Sequence, residues 1–169
     1  MSANGQLSAA VERIKFVRSL TKTYLDDLAA EDWFWMPSEG VTHIAWQVAH
    51  LAFAQYALLL RRIRGQRPED EQVISADFIE RFGRGSTPAA GAENNPTIEE
   101  ILRTFDRVHA QAVEELSQYT DEQLNVPSEP AHPAFTTNLG AVGYASQHEL
   151  IHVGQIVLLR RLMGKKPKR

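Results

Sequence analysis

His148 and His152 stand four residues apart in the run Ala145-Ser146-Gln147-His148-Glu149-Leu150-Ile151-His152-Val153-Gly154-Gln155-Ile156. On an α-helix, with about 3.6 residues per turn, positions i and i+4 lie one above the other on the same face. Two imidazoles so placed can hold one divalent ion without bending the backbone, and neutral imidazole suits Zn, Ni, Cu or Fe(II). A catalytic centre of this kind takes three protein ligands and keeps one coordination position open. The pair therefore needs a third ligand from elsewhere in the chain.

The segment His148-Glu149-Leu150-Ile151-His152 also spells H-E-x-x-H, the zinc-protease pattern in which the Glu is a general base. The rest of the chain does not follow that pattern. No His, Asp or Glu stands after His152 to supply a downstream ligand, and Gly154 comes two residues past the second His rather than three. The third ligand must then lie upstream, among His43, His50, His109 and His132.

His50 sits between Val48-Ala49 and Leu51-Ala52, an apolar setting in which a polar ring needs a partner. His43 is seven residues earlier on nearly the same face, but the helical rise puts it about 10 Å away along the axis. One ion could not reach both. His109 falls in an apolar stripe between Phe105 and Ala112, as a further ligand, a pocket base or a core histidine. His132 lies in a Pro-rich stretch and is expected to be exposed. Buried histidines are often satisfied by a carbonyl or hydroxyl and bind nothing, so that alternative stands beside the metal one for each of them.

Four helices are predicted to position these groups. The first runs from about Leu7 to Ala30, with Leu7, Val11, Ile14, Val17, Thr21, Tyr24 and Leu28 recurring at three- and four-residue steps. The second runs from about Val41 to Arg64. It is apolar around most of its circumference, is expected to be the most buried, and is stopped by Gly65. Thr97 and Glu100 form a capping box that opens the third, which runs to about Tyr119 with Ile98, Leu102, Phe105, Ala112 and Leu116 on its stripe. The fourth runs from about Leu139 to Met163, ends at Gly164, and places Ala141, Ala145, Leu159 and Leu162 on the histidine face.

Two long connectors join these helices: residues 65 to 96, with a short helix near Ala76 to Phe82, and residues 119 to 138, with Pro127, Pro130 and Pro133. Connectors of this length are usually functional or mobile. No strand with clean alternation is apparent. The expected fold is all-α, a four-helix bundle with two long connectors, forming a single domain over residues 1–169.

Composition narrows the function classes. The net charge of −3 gives no reason to expect nucleic-acid binding. The basic tail Lys165-Lys166-Pro167-Lys168-Arg169 is expected to be solvated. With no cysteine, a disulfide, a thiolate ligand or a cysteine nucleophile is impossible. No apolar run approaches the roughly 18 residues of a membrane span, and no basic-then-apolar leader opens the sequence. A cytoplasmic location is the expectation. A homodimer is expected too, dimers being the commonest assembly.

Taken together, these residues resemble the DinB-like (DinB/YfiT) superfamily. The resemblance is carried by Gly40-Val41-Thr42-His43-Ile44-Ala45-Trp46-Gln47-Val48-Ala49-His50-Leu51-Ala52 and by His148-Glu149-Leu150-Ile151-His152-Val153-Gly154-Gln155-Ile156. It extends over nearly the whole chain. It implies a four-helix bundle with a divalent metal (Zn, Ni or Fe) held by His50, His148 and His152, and an open coordination site. It also implies activities such as thiol-dependent S-transfer with a low-molecular-weight thiol.

Three functions compete: a metal-dependent S-transferase acting on a small electrophile, a metal-dependent hydrolase of small esters or amides, and a non-catalytic metal- or ligand-binding helical dimer. Either enzyme would take a small-molecule substrate. Around the metal, Glu149 is a candidate for hydrogen bonding to a helix neighbour, for supporting a metal ligand from behind, or for a solvated position. Gln155 is a candidate for anchoring a ligand or orienting an imidazole, and His109 for a pocket base. Gly154 is expected to permit close helix packing. The aromatic run Trp33-Phe34-Trp35-Met36-Pro37 is expected to wall the pocket, cap the bundle or form a dimer face.

Overall fold

The computed structural model describes residues 5–168. Four long helical rods make the bundle. The first, α1 (Gly5–Thr23), buries Leu7, Ile14, Val17, Arg18 and Thr21. It ends about two turns before the predicted Ala30. There the N–H groups of Tyr24 and Leu25 bond three residues back, to the carbonyls of Thr21 and Lys22, which tightens the last turn. A single turn, α2 (Ala30–Trp33), follows. The expected solvation of the tail is corrected here as well. Lys165 pairs with Asp32 and Lys168 with Asp26, so the chain's end is docked on the α1–α2 turn. Arg169 lies outside the described residues.

The second rod begins three residues later than predicted, at α3 (Ile44–Gln55), because His43 caps it: its Nδ1 accepts the N–H of Trp46 at 3.0 Å. α3 passes without interruption into a π-helical segment (Tyr56–Arg61) and a last α turn, α4 (Arg62–Arg64). The widened turn is closed by the N–H of Arg62, which donates to the carbonyl of Ala57, five residues back. Sequence periodicity could not show this, since Leu58, Leu59 and Leu60 are all buried and no stripe defines a face. Gly65, at φ 80°, turns the chain out of the rod.

The first connector contains α5 (Ala76–Phe82), where a short helix was expected; Ser75 caps it and Phe78 and Phe82 are buried. Earlier in this connector, Asp70 accepts hydrogen bonds from the Tyr56 hydroxyl at 3.0 Å and from both Arg64 Nη atoms, at 2.9 and 2.7 Å. These bonds pin the loop to the rod. The Arg64 guanidinium holds the Asp70 carboxyl down at about 2, while burial and then the Asp70 hydrogen bond push the Tyr56 phenol up to about 12.

The third rod, α6 (Ile98–Leu116), opens with the expected capping box: the Thr97 hydroxyl accepts from Glu100 N–H at 3.2 Å, and the Glu100 carboxylate accepts from Thr97 N–H at 2.9 Å. Its buried stripe is Ile101, Phe105, Val108, Ala112 and Leu116. Ile98 and Leu102 are half-buried and pack against the same core.

After α7 (Asp121–Leu124) comes an element that alternation did not reveal. Strands β1 (Pro127–His132) and β2 (Phe135–Thr137) form an antiparallel hairpin with an irregular register. The prolines and the irregular pairing erase the period-two pattern on which a strand would be recognised. The hairpin lies hard against the last rod, α8 (Asn138–Leu162). A Cβ on Gly140 would sit 2.9 Å from Phe135 Cβ, so the close approach requires glycine there.

The rod α3 packs on both α6 and α8, and α1 packs on α8. The core runs between them through Ile14, Val48, Leu59, Phe105 and Ile156. One polar group crosses it. Arg18 donates to the Glu149 carboxylate through Nε at 3.0 Å and Nη2 at 3.2 Å, to the Phe105 carbonyl at 2.7 Å and to Gln55 Oε1 at 2.9 Å. Its guanidinium lies 3.5 Å from the centroid of the Phe105 ring. Thr21 Oγ1 donates to Glu149 at 2.7 Å. Both charged side chains are less than 5 % exposed.

Removing one member of such a pair strands the other charge, at about 3–5 kcal/mol. Arg18→Ala is therefore expected to lower the thermal midpoint by about 6–20 °C, at about 2–4 °C per kcal/mol for a chain of this size. Differential scanning calorimetry checks this; a midpoint within about 2 °C of the wild type would show that the pair carries little of the stability.

Candidate metal centre

α3 presents His50 and α8 presents His148 and His152, and the three meet where these two helices pack. One ligand nitrogen from each lies within 4.8 Å of the other two. The ring centroids are 4.7 Å apart for His148–His152, 4.9 Å for His50–His152 and 5.7 Å for His50–His148. Among the described residues this is the one cluster of three or more His, Cys, Asp or Glu side chains close enough to share an ion.

Hydrogen bonds fix which nitrogen of each ring is free. His50 Nδ1 lies 2.8 Å from the carbonyl of Phe82. A carbonyl only accepts, so Nδ1 carries the proton and Nε2 keeps its lone pair. His152 Nδ1 lies 2.5 Å from Gln47 Oε1. The Gln47 amide is oriented in turn, because its Nε2 donates to Thr42 Oγ1 at 2.9 Å and to Gln155 Oε1 at 2.8 Å. That leaves Gln47 Oε1 as the acceptor and His152 Nε2 as the free nitrogen. The indole of Trp46 stacks on the His50 ring at 4.7 Å and 9° and limits its rotation. A proton on the outer nitrogen, held by a carbonyl oxygen, is the arrangement that makes an imidazole a directed ligand.

The rings are neutral. Burial, then the neighbouring imidazoles His148 and His50, push His152 down to about 3; burial and then His50 push His148 down to about 4; burial lowers His50 as well. Three uncharged nitrogen donors with no carboxylate suit a borderline divalent ion.

His50 and His148 also line a cleft of about 580 Å³, whereas His152 is 8 % exposed and sits behind them. The centre thus has a buried side and an open side. The open side faces Phe53, His132 and Tyr144, with Arg61, Arg62 and Arg84 on the walls. The volume is that of a pocket for a small organic molecule.

The remaining candidates have other places. Glu149 is not solvated and hydrogen-bonds to none of the three histidines: it is 3 % exposed and belongs to the Arg18 pair on the α1 side of α8, from where its charge still raises His148 against the effect of burial. His109 is half-buried beside the same network, its Nδ1 3.2 Å from Gln55 Oε1, and lies outside the cluster of three; burial and then the Arg18 charge hold it down at about 4. Gln155 is exposed and reaches His152 only through Gln47. His43 is fully buried at the start of α3, and both its nitrogens are used: Nδ1 accepts from Trp46 N–H, so Nε2 donates to the Ala89 carbonyl at 2.9 Å.

His132, expected in an exposed loop, ends β1, stacks on Phe135 at 4.2 Å and 9°, and lines the cleft. Gly154 is exposed with nothing within 4 Å of its Cβ position, so it serves no close packing in this chain, and Leu162 is 55 % exposed rather than core-facing. The aromatic run contributes Trp33 to the core and Phe34 to the His43 ring, at the α3 entrance and away from the cleft.

The residues that sequence reasoning missed are Gln47 and the arginines. Gln47 had a signal, since it stands one turn before His50. Arg61 and Arg62 had none, because the π segment that keeps this end of the rod in phase with the cleft leaves no mark on the apolar pattern.

A histidine whose folded-state value is depressed favours the unfolded chain once protons become available, because the unfolded ring, near 6.5, takes them first. The metal-free protein is accordingly expected to hold its stability between about pH 8 and about pH 7.5, where histidine is neutral in the folded and the unfolded chain. It should lose stability as the pH falls from there towards about 4 and about 3, the values of His148 and His152. Urea midpoints of chelator-treated protein across this range check the sign; a midpoint that rises on acidification would contradict it.

The comparisons with known proteins agree with this architecture. A search among curated proteins finds no match. Among solved structures, the chain is similar to YfiT from Bacillus subtilis, described as a probable metal-dependent hydrolase with an unusual four-helix bundle topology. The two are 18 % identical, with a TM-score of 0.65 over 98 % of this chain and 92 % of that one, a likeness of fold. The family model of the DinB superfamily matches residues 13–156, which include all three histidines, the whole of α3 and α8 as far as Ile156. The chain belongs to the DinB superfamily.

Proposed function

We propose that this protein is a metal-dependent enzyme in which His50, His148 and His152 hold one divalent ion, zinc, nickel or iron, at the floor of the cleft. The observation that carries the reading is the asymmetry of the cluster: three neutral imidazoles, two with their outer nitrogens held by fixed acceptors, and one side open to a substrate-sized space. A structural site would be closed by a fourth protein ligand. When bound, the ion supplies Lewis acidity and activates a nucleophile at neutral pH.

The chain's own residues do the rest. Phe82 and Gln47 hold the His50 and His152 rings in register, and the rods α3 and α8 keep the buried side dry. The hairpin carries His132 to the far wall, so a reactant entering the cleft is enclosed between it and His148.

Hydrolysis of a small ester or amide is the first reading, and the description of YfiT, a fold relative, is in keeping with it. Thiol-dependent transfer is the second. The chain has no cysteine, so the thiol would be a separate low-molecular-weight molecule, and the cleft has room for more than a single small reactant.

Plasma mass spectrometry of purified protein should find one ion per chain, and His152→Ala or His50→Ala should abolish retention; a variant that kept its metal would show that the ligand set is wrong. Gln47→Leu should keep the stoichiometry but weaken affinity about 10–100-fold, as loss of a ligand's outer partner does. Loaded protein tested on an ester and amide panel, and on low-molecular-weight thiols with a halogenated electrophile, separates the readings. Ester or amide cleavage without thiol consumption supports hydrolysis, thiol consumption without cleavage supports transfer, and neither activity contradicts both.

A further inference from the structure

The walls of the cleft are charged opposite to the molecule as a whole. The chain carries a net charge of −3, yet the cleft is lined by Arg61, Arg62 and Arg84 against a single carboxylate, Glu129. The three arginines are not equivalent. Arg62 is a latch: its Nη1 donates to Ser128 Oγ at 3.0 Å and to the Pro130 carbonyl at 2.7 Å, and its guanidinium lies 5.1 Å from the Phe135 ring centroid. It ties the hairpin to the end of the second rod.

Arg61 and Arg84 are exposed and carry no such duty. Among the described residues, Arg61 has no hydrogen-bonded or ion-paired side-chain partner; its guanidinium carbon lies 5.7 and 5.9 Å from the centroids of the Phe53 and Tyr56 rings. Among the same residues, Arg84 has no hydrogen-bonded or ion-paired side-chain partner. Guanidinium groups with free donor edges are suited to bidentate recognition of carboxylate or phosphate. Their field is felt across the cleft. After burial, the charges of Arg62 and Arg84 are what lower His132, and the charge of Arg61 is what lowers Arg62.

The π segment explains why the charges gather here. In a regular α-helix residues four apart drift by about 40° at each step, so a face carrying Phe53, Ala57 and Arg61 would turn steadily away from the cleft. The widened turn between Tyr56 and Arg61 lets Phe53, Ala54, Ala57, Leu58, Arg61 and Arg62 all line one cleft. Arg61 stands eleven residues beyond His50, at most about 16 Å along the helix, and its side chain leans back towards the helix N-terminus, the direction of His50.

We propose that Arg61 and Arg84 form an anion-recognising wall across from the histidine triad, and that the substrate is a small molecule with a carboxylate or phosphate group several bonds from its reacting centre. The proposal rests on the reading of the triad as a catalytic metal site. It assigns the anion to the arginines and leaves the metal's open face to the reacting group.

Calorimetric titration of zinc-loaded protein with succinate, phenyl phosphate and the neutral succinamide tests it. At least one of the two anions should bind saturably and the diamide should not. Arg61→Gln combined with Arg84→Gln should weaken anion binding at least about tenfold, the scale of one lost charged hydrogen bond, with metal content and thermal midpoint unchanged. The Arg61→Lys/Arg84→Lys pair should retain part of the affinity.

If neither anion binds, or the diamide binds as tightly, the proposal fails. If the glutamine variant binds anions like the wild type, the anion sits on the metal and the proposal fails too. The same titration on chelator-treated protein keeps the two readings distinguishable. A chain that takes up no metal but still loses anions with the arginines overturns the metal reading and leaves the anion wall standing.

Discussion

The rotation of α8 about its own axis is the constraint on which the site depends. This helix must turn Glu149 into the core towards Arg18 while it turns His148 and His152 towards α3. Neighbouring residues on a helix diverge by about 100°, so Glu149 and His148 face different elements by necessity. The Arg18–Glu149 pair, less than 5 % exposed and braced by Thr21 and Gln55, admits one orientation. A small roll of α8 would strand a buried charge and swing both imidazoles off His50. The ion pair does not touch the metal centre, yet it fixes the angle at which two of the three rings approach.

From that angle the rest follows in layers. The rods bring the rings together; the Phe82 carbonyl and the Gln47 amide then decide which nitrogens are free. Burial keeps the rings neutral, and the hairpin supplies the opposite wall. Each layer comes from a different stretch of chain: α3 for His50 and Gln47, the end of α5 for Phe82, the second connector for His132. The long connectors are therefore parts of the site, which accounts for their length in so small a chain.

Much of this was legible in the residues. The i,i+4 spacing of His148 and His152 put both rings on one face, and the apolar neighbours of His50 marked a polar group needing a partner. The Thr97–Glu100 box opened its helix where expected. What was not legible has physical causes. Glu149 reads as solvated beside two candidate ligands until it is set on the stripe with Ala145 and Ile156; Arg18, between Val17 and Thr21, lies on the matching stripe of α1, and only the pairing of those helices shows that the two charges meet. The hairpin hides because its prolines break alternation. The π turn hides because a helix apolar all round carries no phase, and with it hides the gathering of Arg61 and Arg62.

The central claim is that three imidazoles share one ion with a face left open. X-ray absorption at the metal edge of the loaded protein measures this directly. The account predicts three imidazole scatterers at about 2.0–2.1 Å and at least one light-atom ligand that changes when azide or cyanide is added. A shell of fewer than three imidazoles, or a closed four-ligand shell indifferent to added anions, would contradict it.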